Sequence, residues 1–137
     1  MRRVLLGAVV LVSGACGGPT SPSLRSQVIV GTLSSVDHPI YPDYEIYSVS
    51  VSEPGVLSAS VQWVGEGDIW LYIFDAQPPT NHPPLASTLT SSAMPISASV
   101  VAGTYFVMVS QSQVDAGPHQ GTCGCVDNFT LTLTYPP

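Results

Sequence analysis

Apolar and polar residues alternate with a period of two through most of the chain, which is the pattern of strands with one face inside and one outside. Leu57, Ala59, Val61 and Trp63 share one face while Ser58, Ser60 and Gln62 share the other. Phe129, Leu131, Leu133 and Tyr135 alternate with Thr130, Thr132 and Thr134, and Tyr47, Val49 and Val51 with Ser48, Ser50 and Ser52. Turn residues interrupt these runs at short intervals, and no amphipathic helix of useful length occurs. The pattern predicts strands near 27–33, 43–52, 56–64, 68–75, 85–90, 95–102, 104–111 and 128–135. Such a set fits an all-β fold, an antiparallel two-sheet β-sandwich or jelly roll of about eight strands. Glu53-Pro54-Gly55 reads as the turn into the third strand, and Gly103 as a hairpin position after Val100 where a positive φ favours glycine. The stretch from Gln111 to Asp127 reads as a long connection.

The strand at 68–75 breaks the rule, because both its faces are apolar or aromatic. Ile69, Leu71 and Ile73 are the expected core positions, which sends Trp70, Tyr72 and Phe74 outward with Asp68. Two readings of that outer face stand. Trp70 and Tyr72 form a platform for a sugar ring or a peptide side chain, or the face is covered by a loop or the N-terminal segment.

The first residues look like an export signal. Arg2 and Arg3 precede the apolar run Val4 to Val12, which is too short to span a bilayer, and Ser13-Gly14-Ala15 supplies small residues before Cys16. Residues 1–15 therefore read as a signal peptide and residues 16–26 as a Gly-, Pro- and Ser-rich tether, with the domain proper at 27–137. The segment resembles a bacterial lipobox, with Ser13 where Leu usually stands. That likeness implies lipidation at Cys16 and, with Gly17 following, sorting to the outer membrane. The alternative is cleavage by the ordinary signal peptidase and a free thiol on a secreted protein.

Export changes the charge balance. Arg25 is then the one Lys or Arg left, against nine Asp and Glu, a net charge of −8. A surface of that sign repels phosphate backbones, so nucleic acid is not an expected partner. The absence of lysine removes Schiff-base chemistry. The sequence contains no nucleophile elbow, zinc-protease motif or phosphate loop, and His38, His82 and His119 are scattered through Pro- or Gly-rich stretches. An enzyme is not expected.

Gly67-Asp68-Ile69-Trp70-Leu71-Tyr72-Ile73-Phe74-Asp75, Ala102-Gly103-Thr104-Tyr105-Phe106-Val107-Met108-Val109 and the closing run Asn128 to Tyr135 together resemble the bacterial pre-peptidase C-terminal domain. That resemblance implies a non-catalytic β-sandwich of an exported protein. It also implies an Asp-Leu-Asp-Leu-like motif whose acids lie near a loop that binds calcium in some members. Asp68 matches the first acid, but Trp70 occupies the place of the second. Calcium needs six to eight oxygens, so no resident metal is expected. The alternative is a weak site in which Asp68 is joined by Asp43 and Asp75, with Asp37 and Glu45 as further candidates.

Cys123-Gly124-Cys125 is the remaining cysteine chemistry. In an oxidising envelope the two thiols are expected to pair, as a loop staple or as a strained, labile redox bond; zinc held with His119 is a third reading. The expected function is thus a non-catalytic binding or structural module, anchored to the envelope or secreted. Its expected partners are the membrane through a lipid, an extracellular polysaccharide or an envelope protein. Self-association through edge strands is a further expectation.

Overall fold

The computed structural model describes residues 23–34, 43–65, 68–78, 81–90, 95–112 and 125–137. Eight strands run in chain order: β1 (Arg25–Ser34), β2 (Tyr44–Val51), β3 (Gly55–Val64), β4 (Ile69–Phe74), β5 (Ala86–Thr90), β6 (Ile96–Val100), β7 (Gly103–Gln111) and β8 (Val126–Tyr135). Each of the eight predicted strands is present. β1 starts at Arg25, two residues inside the stretch read as tether.

All strand pairs are antiparallel. One sheet, sheet A, has the order β1-β8-β3-β6; the other, sheet B, has the order β2-β7-β4-β5. The two pack face to face as a β-sandwich, and the fold class is as expected. Alternation drives this packing, since one side of every strand must leave water. Leu33, Leu57, Val61, Ile69, Leu71, Ile73, Val107, Val109, Leu131 and Leu133 are fully buried between the sheets, with Phe129 almost so. Each such aliphatic side chain contributes about 1.5–3 kcal/mol by leaving water.

The chain changes sheet at every connection except β4 to β5. That topology corrects the reading of Gly103 as a hairpin glycine. β6 lies in sheet A and β7 in sheet B, so Val101 and Ala102 carry the chain across the sandwich. Gly103 instead opens β7 opposite Val51, has no positive φ, and a Cβ added there would meet Tyr105 and the Val101 carbonyl only at ordinary contact distance. The corner is held by Tyr105, whose hydroxyl accepts a hydrogen bond from the Val101 amide at 3.0 Å and donates to the Val101 carbonyl at 3.1 Å. Both backbone polar groups of Val101 are thereby satisfied without a hairpin.

The stretch from Gln111 to Asp127 is also shorter than expected at its C-terminal end, whereas β7 ends at Gln111 as predicted. Asp127 is the second residue of β8.

Candidate functional site

Residues directly opposite each other in antiparallel strands share a face, so the registers of sheet B define its outer surface in rows. Tyr44, Ser110, Trp70 and Leu89 form one row, and Ile46, Met108, Tyr72 and Ser87 the next. Ser48, Phe106 and Phe74 form a third. None of these side chains is charged. Tyr44 and Leu89 at the rims are 52% and 43% exposed, while Ile46, Trp70, Tyr72, Phe106 and Met108 between them are half-buried. Phe74 is buried and Ser110 is buried between Tyr44 and Trp70.

The three aromatics of β4 stack along the strand. Trp70 and Tyr72 have ring centroids 5.5 Å apart and planes 17° from parallel; Tyr72 and Phe74 follow at 5.7 Å and 27°. At that separation the rings cannot lie flat beside one another on the sheet, so they lean face against face and turn their edges to solvent. Tyr72 gives both faces to its neighbours. Burial raises its phenol pKa above the usual value. Trp70 keeps the face turned away from Tyr72. The outer surface is therefore a ribbed apolar bed rather than a flat shelf of ring faces.

The carboxylates named as calcium candidates do not converge. Asp43 and Asp68 stand at the starts of β2 and β4, where their carbonyls flank the end of β7 by accepting from Gln111 N at 3.0 Å and Ser112 N at 2.7 Å. Both carboxylate oxygens of Asp43 accept backbone amides, from Ser34 at 2.7 Å and from Tyr44 at 3.0 Å. Asp75 follows Phe74 at the opposite end of β4, roughly 20 Å away along the strand. Glu45 lies on β2, where the Tyr47 hydroxyl donates to its Oε2 at 3.4 Å. Burial raises the Tyr47 pKa most, and the Glu45 charge and hydrogen bond raise it further. Asp37 lies outside the described residues. No group of three or more His, Cys, Asp or Glu is placed to hold a metal among the described residues.

A second polar arrangement was not anticipated from the sequence. At the same end of the sandwich, Gln111 and Asp127 point between the sheets and are almost wholly or wholly buried. The Gln111 side-chain amide donates to Asp127 Oδ2 at 2.7 Å and to the Cys125 carbonyl at 3.3 Å. The Cys125 sulfur lies 3.4 Å from the same carboxylate oxygen. Asp127 also fills the space above Gly65, where an added Cβ would fall inside its carboxylate. This cluster ties the end of β7 to the start of β8. It therefore frames the segment that carries Cys123, which lies outside the described residues, as do His119 and Cys16. Strand parity was the available signal: Asp127 has the parity of Phe129 and Leu131, and Gln111 that of Val107 and Val109.

No protein-family model matches this chain, and no curated protein matches it in sequence.

Proposed function

We propose that the chain is a non-catalytic β-sandwich binding module of the bacterial cell envelope, similar to the pre-peptidase C-terminal domain, and that it docks a neighbouring envelope protein through the outer face of sheet B. The observation that carries this reading is the uncharged, aromatic bed built by Trp70, Tyr72, Phe106, Met108, Ile46 and Tyr44. Interface centres are enriched in Trp, Tyr, Phe and Met and depleted of charge, which is the composition of this face. Edge-on rings present ribs and grooves that apolar side chains fill. A pyranose ring instead seeks an open aromatic face, which the mutual stacking of the β4 rings reduces, so binding of an extracellular polysaccharide is the second reading.

In this reading Cys16 carries a lipid that anchors the module to the membrane, the Pro- and Ser-rich tether gives it reach, and Cys123 pairs with Cys125 in the oxidising envelope. The module works without a metal or cofactor. Asp43 serves as a cap for strand ends, consistent with its two hydrogen bonds to backbone amides.

Two measurements test these points. Cys16→Ser should shift the protein from the membrane fraction to the soluble envelope or medium, and equal fractionation of mutant and wild type removes the anchor. Binding to washed envelopes and to a glycan array should separate protein from sugar. Envelope binding that falls at least about tenfold in Trp70→Ala and Tyr72→Ala, with Thr132→Ala on the other sheet unchanged, supports docking through this face. Retention of envelope binding in both aromatic variants refutes it, and a glycan signal that depends on Trp70 alone selects the polysaccharide reading.

A further inference from the structure

The sandwich has four edge strands, and they are not equally guarded. β5 and β6 are five residues long, follow prolines, and offer little backbone to pair with. β2 carries Glu45 on the parity of its inward residues Tyr47 and Val49, a charge that a strand added at that edge would have to cover. β1 is ten residues long, and from Ser26 to Ser34 it holds no charge, no proline and no lysine. Its outward Val28 and Val30 are 54% and 75% exposed.

One hydrogen bond shows which backbone groups of β1 face the open edge. Ser34 N donates to the Asp43 carboxylate rather than into the sheet, so the even-numbered residues direct their N–H and C=O groups away from β8. Asp43 closes the edge at Ser34. Ser26, Val28, Val30 and Thr32 are left with edge groups that pair with no strand among the described residues.

We propose that β1 is a self-pairing edge through which two copies of this chain form an antiparallel dimer with sheet A continuous across both. The Asp43 stop selects the register. Centring the pair on Ile29 places Ser26 opposite Thr32 of the other copy and Val28 opposite its Val30, so all four open residues pair and Ser34 is not needed. A shift by one residue in either chain would oppose outward and inward side chains. In the chosen register Arg25, the one basic Lys or Arg after Arg3, arrives beside the Asp43 carboxylate of the second copy. Opposite charges thus meet at both ends of a strand that is otherwise neutral, which offsets the repulsion between two acidic molecules.

The two-fold axis of such a pair runs perpendicular to sheet A. Both copies of sheet B then lie on the same side, and the two aromatic faces point in one direction. The dimer presents two docking surfaces together, a bivalent arrangement. Self-pairing does not depend on what those faces bind.

The test uses the exported chain with Cys16→Ser, examined by sedimentation velocity at about 100 μM, because a single strand pair belongs to the small, weak class of interfaces. A dimer is expected. Val28→Lys with Val30→Lys changes two exposed positions and places like charges directly opposite each other, so dissociation should become at least about tenfold easier at an unchanged melting temperature. Val28→Lys with Val30→Glu should restore the dimer, because this register alone sets each new cation opposite a new anion. Monomeric wild type, or a Lys/Lys variant that associates like wild type, overturns the proposal. A Lys/Glu variant as weak as the Lys/Lys one overturns the register and with it the role given to Asp43.

Discussion

The outer faces of the two sheets are built from the same strand geometry and end in opposite surfaces. Sheet A presents Thr130, Thr132 and Thr134 of β8 beside Ser58 and Ser60 of β3 and Ser97 and Ser99 of β6, with single valines between them. Sheet B presents a largely apolar, aromatic bed across β2, β7 and β4, interrupted by Ser48 and Ser110. Neither face carries a charge, so net charge does not distinguish them. The difference is desolvation. Hydroxyls on sheet A are hydrated at no cost and hold the face soluble, whereas the rings on sheet B shelter one another and still leave their edges in water. A module that had only to stay folded and soluble could carry the surface of sheet A on both sides.

The sharpest way to break this comparison is to truncate inward and outward side chains on neighbouring positions. Leu71 is fully buried between the sheets, so Leu71→Ala should cost about 2–5 kcal/mol through lost burial and the cavity left behind. Trp70→Ala, one residue away on the outer face, should cost about 1 kcal/mol, since it removes one stacked contact with Tyr72 from a half-buried site. Thr132→Ala on sheet A should stay within about 0.5 kcal/mol. Chemical denaturation of the three variants gives the order. Equal costs for Trp70→Ala and Leu71→Ala would mean that the outer face of sheet B is a second core, and docking would lose its basis.

Strand existence and facing were legible because side chains in a strand alternate without exception. The residues from Leu57 to Trp63 and from Phe129 to Tyr135 state their own orientation. Strand order was not legible, since alternation says which face is buried and nothing about which strand lies alongside. That is why the short link at Val101 and Ala102 looked like a hairpin when it crosses the sandwich. The aromatic bed was half legible. Trp70 and Tyr72 stood out on one strand, but Ile46, Phe106 and Met108 join them only once β7 is placed between β2 and β4. Asp127 was misplaced for a different reason: a polar residue at an inward position ends the visible alternation although the strand continues. Partners such as Gln111 and the space above Gly65 make that position tolerable, and those come from separate strands or strand ends. The burial of Cys125 and Asp127 depends on such long-range pairing.

The smallest expected effect separates the inner and outer faces through two tyrosines. Tyr47 packs against the core from β2, and burial with the neighbouring Glu45 raises its pKa; Tyr72 stands on the outer bed, and burial alone raises its pKa. For both, the neutral phenol is favoured in the folded chain. Their contribution to stability is therefore fully present below the ordinary tyrosine pKa of about 10 and is lost as pH rises through the higher folded values. Thermal melts between about pH 9 and pH 12 should show stability falling as pH rises, less steeply in Tyr47→Phe than in wild type. Phenolate absorbance should lose one late-titrating group in Tyr72→Phe. A partner seated on the outer face should push the Tyr72 titration higher still and leave Tyr47 where it was, because only Tyr72 would lose further water. A bound envelope partner that moves neither titration would show that the aromatic face of sheet B is not what it covers.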